Sequence, residues 1–292
     1  MIRIGILGSE NSHAEAFTKI FNENKGTEND LFPDIKVVAI GGHYEESNRR
    51  LYSQYNLDFI AEKPQEMLGK VDAVMVTSRD GKYHFDFAMP FVEKGIPAFI
   101  DKPFSDDPQQ ALDIVTAAKK KNVPLYGGST VKLADDVIEL KKARQKEEVC
   151  GGSVAAPLSM VNEYGGFFFY SSHLAEVSLS IFGYNPVAVT AFEKKNHVTA
   201  VVDYEDYQVS NHFTNDFPYS YFAAVFGKSG NTIKNIDISK CYLYACEGFV
   251  KMLKTGKSDM GYLELIAPVY YLKAIEDSFR SGQKQKIIIP EI

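Results

Sequence analysis

Short apolar runs alternate with amphipathic stretches through the first half of the chain, and that rhythm breaks down afterwards. Residues 2–7 form an apolar run ending at Gly8, which reads as a buried strand, and Ser12-His13-Ala14-Glu15 then has the form of a capping box. Phe17, Ile20 and Phe21 fall at i, i+3 and i+4, so a helix follows with one face on a core. The same alternation predicts strands at 35–40, 73–77, 98–100 and 123–126. Helices are predicted over 45–55 and 83–93 and from Pro108 onwards, the last capped by Asp107. Strand and helix in turn, joined by short links, are the pattern of a parallel sheet covered on both faces, a doubly wound Rossmann-type α/β domain.

Beyond a helix at 131–146 the periodicity changes. β-Branched and aromatic runs at 187–192, 198–202, 207–213 and 221–226 predict a large, mostly antiparallel sheet. A helix at 172–182 precedes it, and helices at 245–255 and 262–279 follow, with Pro268 expected to kink the last or to mark its true start. The chain therefore divides into a nucleotide-binding domain, 1–128, and an α+β domain, 129–292.

The residues with most chemical content end the strand at 98–100. Asp101 and Lys102 follow it directly, and Pro103 forbids further ladder hydrogen bonds, so both side chains belong at the carboxyl end of a strand, where open α/β sheets bind ligands. A lysine in a partly desolvated cleft can hold a substrate hydroxyl and share its proton.

The net charge of −6 carries no basic stripe, which argues against nucleic acid. His13, His43, His84, His173, His197 and His212 are scattered singly without metal-ligand spacing, so no metal site is expected. Cys150, Cys241 and Cys246 cannot all pair internally, and no cleavable signal or membrane-length run occurs, so a cytoplasmic protein without membrane association is expected.

Taken in order, several motifs resemble the Gfo/Idh/MocA family of nicotinamide-dependent oxidoreductases, which act mainly on sugars, cyclitols and related polyols. They are the glycine turn after the first strand, the turn ending at His84, and Asp101-Lys102-Pro103, similar to the family's Glu-Lys-Pro. Gly165-Gly166 with His173-Leu174-Ala175-Glu176 resembles its Gly-Gly followed by His-x-x-Asp, and the closing helices also fit. The resemblance implies NAD or NADP as cofactor, a small hydroxylated substrate, a substrate-binding and oligomerising second domain, and a homo-dimer or homo-tetramer. It implies that Lys102 is the catalytic lysine, orienting the substrate oxygen, and that His173 accepts or donates the proton, with Tyr170 beside them at the substrate. Placed near the start of the helix predicted at 172–182, His173 is expected to be kept neutral by the helix dipole. The cofactor contacts implied are Gly8, Ser9, Asn11 and Ser12 after the first strand, Gly42 and His43 after the second, Thr77, Ser78 and His84 around the third, and Asp101, which braces Lys102. The bond into Pro103 is expected to be cis.

Three positions depart from the family pattern. The Gly-x-Gly-x-x-Gly fingerprint has Glu10 and His13 at its second and third glycines. No carboxylate stands at Gly41-Gly42-His43, where one would hold the ribose of NAD. An aspartate four residues before the histidine is replaced by Phe169. An enzyme is one reading; a ligand-sensing or partner-binding relative that has lost turnover is the other.

Overall fold

The apolar N-terminal run becomes β1 (Ile2–Leu7), buried from Ile4 onwards, and leads into α1 (Ser12–Asn22). The computed structural model describes residues 1–146, 148–215 and 219–292. Next come β2 (Ile35–Gly41), α2 (Glu45–Gln54), β3 (Phe59–Ala61), β4 (Ala73–Val76) and α3 (His84–Val92). β5 (Ala98–Ile100), α4 (Pro108–Lys121) and β6 (Leu125–Gly127) complete the series. The six strands pair in parallel in the order β3-β2-β1-β4-β5-β6, so the chain reverses direction across the sheet between β1 and β4. Ligands bind outside the carboxyl ends at such a switch point.

Local chemistry explains most of the boundaries. Asp107 caps α4 by accepting from Gln109 and Gln110 N–H, with Pro108 first in the helix. α1 is capped by Asn11 rather than Ser12: Asn11 Oδ1 accepts from His13 N at 3.2 Å, while its Nδ2 donates to Thr77 O at 2.8 Å. β3 escapes the sequence pattern because three residues are too few to show a period.

The helix predicted at 131–146 is a single 3₁₀ turn, Thr130–Leu133, and then α5 (Asp135–Lys146), because Ala134 between them is extended (ψ 142°). β7 (Val149–Pro157), α6 (Phe167–Phe182), β8 (Ala188–Lys194), β9 (His197–Asp203), β10 (Gln208–Thr214), β11 (Phe222–Gly227) and β12 (Gly230–Asn235) follow. β7 is unforeseen, since Gly151-Gly152 and Ala155-Ala156 weaken its strand signature.

α7 (Cys241–Thr255) packs on the parallel sheet's domain. Gly248 makes this possible: a Cβ there would lie 2.1 Å from the Tyr126 hydroxyl. Phe249 then meets Phe99 at 5.8 Å between ring centroids, and Tyr242 meets Phe17 at 5.7 Å. Burying each such phenylalanine contributes about 2–3 kcal/mol. One unit therefore comprises Met1–Gly128 with Tyr242–Tyr262, and takes in a segment that the linear division at residue 128 assigns to the second domain.

The other unit comprises Ser129–Cys241 with Leu263–Ile292 and holds most of α8 (Tyr262–Ser281), with Pro268 inside the helix, and β13 (Gln285–Lys286). Its seven strands run β12-β11-β7-β10-β9-β8-β13, antiparallel at every neighbour except β7 and β10, which are parallel. α5 and α6 cover one face of this sheet, while Phe192, Phe226 and Ile233 stand exposed.

Candidate active site

At the switch point the ends of β1, β2 and β4 come within backbone contact. Gly8 has φ 105°, its N–H donates to Gly41 O at 2.9 Å, and a Cβ on it would fall 2.2 Å from Ser78 N. Only glycine fits. Gly8→Ala is expected to cost about 2–4 kcal/mol through backbone strain and overpacking, read as a lower urea midpoint; an unchanged midpoint would contradict this close approach.

Thr77 and Ser78 are buried and serve the turn itself. Thr77 Oγ1 donates to Gly8 O at 3.0 Å, and Ser78 O accepts from His84 Nε2 at 2.8 Å. The carbonyl can only accept, so His84 carries its hydrogen on Nε2; its buried Nδ1 meets no donor. This imidazole is fully buried and supports the turn, an arrangement closer to a structural role than to lining an open pocket. Ser12 is exposed in the first turn of α1, and Ser9 Oγ reaches Tyr44 O at 3.5 Å.

The two residues that replace fingerprint glycines are tied to neighbouring strand ends. Glu10 Oε1 accepts from Arg79 N–H at 3.0 Å, which anchors its carboxylate to the loop after β4. His13 Nδ1 lies 2.5 Å from Asp101 Oδ2, and both side chains are buried.

Asp101 follows β5 with no exposed surface. Its Oδ1 accepts from Lys102 N–H at 2.8 Å, and its Oδ2 meets His13 and, at 3.4 Å, Asn11 Nδ2. Burial by itself would raise the Asp101 pKa, but His13, the Lys102 charge and these hydrogen bonds outweigh it and hold the group below the ordinary carboxylate range. Lys102 is 3% exposed, and the bond into Pro103 is cis.

Beside the end of β2 lies a pocket of about 570 Å³, lined by Gly42, His43, Glu45, Asn48, Arg49 and Glu62 among others. Its two carboxylates come from the first turn of α2, Glu45, and from the residue after β3, Glu62. Glu45 pairs with Arg49. Asn48 is buried; its Nδ2 donates to Gly42 O at 3.0 Å, and its Oδ1 has no donor. The His43 ring sits 4.3 Å from that of Tyr83.

In the other unit, α6 begins at Phe167, so His173 is its seventh residue and not near its start. The dipole acts mainly on the first turn, and the expectation that it keeps His173 neutral is corrected. Phe167-Phe168-Phe169 is buried and helical, and that run carries the helix back beyond residue 172. Phe169 packs on Tyr164 and Tyr170, and Tyr170 lies 6.0 Å from the His173 ring.

His173 Nδ1 is 2.7 Å from Ser129 Oγ. Glu176, three residues further along the same face of α6, accepts from Ser129 N–H at 2.6 Å and from Lys132 Nζ at 2.6 Å. Lys132 and Glu176 form a buried ion pair with side chains 4% and 2% exposed. Sequence reasoning missed Ser129, whose partner is 44 residues away and leaves no local signal. Among the described residues no group of three or more His, Cys, Asp or Glu could hold a metal ion, and no helix is long and apolar enough to cross a membrane.

The strand order and the glycine turn at the switch point define a Rossmann domain. The model of the Gfo/Idh/MocA family, described as an oxidoreductase family with an NAD-binding Rossmann fold, matches residues 2–129. No curated protein matches the sequence. Solved structures match along the whole chain. Myo-inositol 2-dehydrogenase from Lactobacillus plantarum is 12% identical with a TM-score of 0.85, covering 98% of this chain and 99% of its own. An NAD binding oxidoreductase from Klebsiella pneumoniae is 14% identical with a TM-score of 0.82, covering 99% and 100%. GenD2 from gentamicin A biosynthesis, in complex with NAD, is 14% identical with a TM-score of 0.83, covering 99% and 97%. At these identities the likeness establishes a shared fold over both units.

Proposed function

We propose that this protein is a nicotinamide-dependent oxidoreductase that interconverts a CH–OH group and a carbonyl on a small polyol, sugar or cyclitol. The observation that carries the proposal is the buried Asp101-Lys102 pair at the carboxyl end of β5, in a domain that the Gfo/Idh/MocA family model matches. The names of the structural neighbours, an inositol dehydrogenase and a protein complexed with NAD among them, support the same chemistry. Bound nicotinamide would supply the hydride acceptor or donor. The chain's own task is the proton on the substrate oxygen, and Lys102 and His173 are the groups proposed for it. Asp101 holds the Lys102 backbone in place and balances its charge.

The residues at the switch point fit a dinucleotide. Gly8 leaves its strand end bare for close approach, and the pocket beside β2 suits a ribose diol. A 2′-phosphate would bring more negative charge beside Glu45 and Glu62, where Arg49 is already paired and Asn48 Oδ1 lacks a donor. NAD is therefore favoured over NADP.

Calorimetric titration of the purified protein with each of the four cofactor forms tests both statements. Saturable binding of NAD or NADH, with the phosphorylated forms at least roughly ten-fold weaker, is the expected result. Preference for NADP would overturn the ribose assignment. A second reading, a binding protein without turnover, is favoured by Glu10 and His13 in the glycine positions; failure of the folded protein to bind any of the four would support it.

A further inference from the structure

We infer that Ser129 fixes where His173 carries its proton: the neutral imidazole is protonated on Nε2, so it meets the substrate oxygen as a hydrogen-bond donor and is not the proton acceptor. This deepens the oxidoreductase reading and rests on it for its functional half; the tautomer itself does not.

The hydrogen bonds of Ser129 decide the question. The residue has no exposed surface. Its Oγ accepts from Val131 N–H at 3.3 Å and lies 2.7 Å from His173 Nδ1. Among the described residues, Nδ1 is the acceptor in reach of the hydroxyl hydrogen. Were Nδ1 protonated, it and Val131 N–H would both donate to Oγ, and the serine hydrogen would face no acceptor in a place closed to water. Burial of an unmade hydrogen bond of that kind disfavours the Nδ1–H form by roughly ten-fold or more.

The backbone that carries Ser129 is fixed as well. Its N–H is held by Glu176 Oε1 at 2.6 Å, and the other oxygen of that carboxylate is held by Lys132 Nζ at 2.6 Å. The ion pair thus clamps the 3₁₀ turn carrying Ser129 against the face of α6 that carries His173. Ser129 is a positioning residue, and Lys132 and Glu176 position it in turn.

A carboxylate partner would act in the opposite sense. It can only accept, so it would keep the hydrogen on Nδ1 and leave Nε2 as a lone pair able to take a proton. This chain has Phe169 where the family resemblance leads one to look for that carboxylate. With Ser129 as donor, the lone pair of neutral His173 sits at Nδ1 and is occupied. The role this leaves to neutral His173 at the substrate oxygen is that of an Nε2–H donor, which would steady negative charge developing there.

A two-bond proton–nitrogen correlation spectrum of the ¹⁵N-labelled full chain above the histidine titration range reads the tautomer directly, with His173 identified by its absence from His173→Gln. The wild-type protein is expected to show the Nε2–H pattern. Ser129→Ala is expected to move the tautomer ratio by roughly ten-fold towards Nδ1–H, and Ser129→Thr to restore it. An Nδ1–H pattern in the wild type overturns the inference whatever the variants do, as does an unchanged ratio in folded Ser129→Ala. In turnover, His173→Gln keeps a donor and is expected to stay within about ten-fold of wild type with the same pH profile, while His173→Phe falls by about 10²–10³. A Gln variant as impaired as the Phe variant would make His173 the proton acceptor. If no polyol is turned over but the Nε2–H pattern is present, the oxidoreductase reading fails and the tautomer assignment stands; an Nδ1–H pattern in an active enzyme does the reverse.

Discussion

Lys102→Met is expected to lower turnover about 10³-fold while leaving NAD affinity within a few-fold of wild type. The side chain lost is the proposed proton carrier, whereas the turn at Gly8, the proposed cofactor contact, is built from contacts with Gly41, Thr77 and Ser78 that the substitution does not touch. Asp101 keeps its hydrogen bond from the backbone N–H of residue 102 and its contact with His13, two of the partners that hold its buried carboxyl below the ordinary carboxylate range. Methionine also preserves the length and apolar stem of a residue that is almost wholly buried. Steady-state rates and calorimetric titration on the same preparation separate the two effects. Unchanged rates would end the catalytic assignment of Lys102; lost rates together with lost NAD binding would make it a residue of the cofactor site.

The largest stability effect is expected at the other buried charge pair. Glu176→Ala leaves the Lys132 ammonium buried without the carboxylate that it contacts at 2.6 Å, and it also removes the acceptor for Ser129 N–H. Breaking one side of such a pair costs about 3–5 kcal/mol, because the remaining charge keeps its desolvation penalty and loses its compensation. Replacing both partners with methionine is expected to recover most of that loss, since neither then carries a buried charge. Urea unfolding of the single and double variants tests this; equal midpoints for Glu176→Ala and wild type would show that the pair is solvated in solution.

The site is divided between what neighbouring residues announce and what distant ones supply. Asp101 and Lys102 could be placed at a strand end because a short apolar run meets Pro103, and the cap of α4 because Asp107 precedes Pro108; both signals lie within a few residues. The apparent damage to the glycine fingerprint was visible as well, but not its meaning. His13 is bonded to Asp101, 88 residues later, and Glu10 to the backbone of Arg79, so residues that look like losses in the phosphate turn are ties between strand ends. No carboxylate follows β2 directly; those lining the pocket beside it, Glu45 and Glu62, come from α2 and from the residue after β3.

By itself the sequence determined the succession of strands and helices in the first unit, most of the strands of the second, and the placing of Asp101 and Lys102 at a strand end. These follow from period, capping and residue type, which act over one or two turns of backbone. Tertiary structure alone decided that α7 packs with the parallel sheet, that β7 runs parallel to β10, that α6 reaches back to Phe167, and that Ser129, Glu176 and Lys132 stand behind His173. Each of these depends on which distant groups satisfy a buried donor, charge or apolar face. Burial sets that demand, and it exists only once the chain has closed around it.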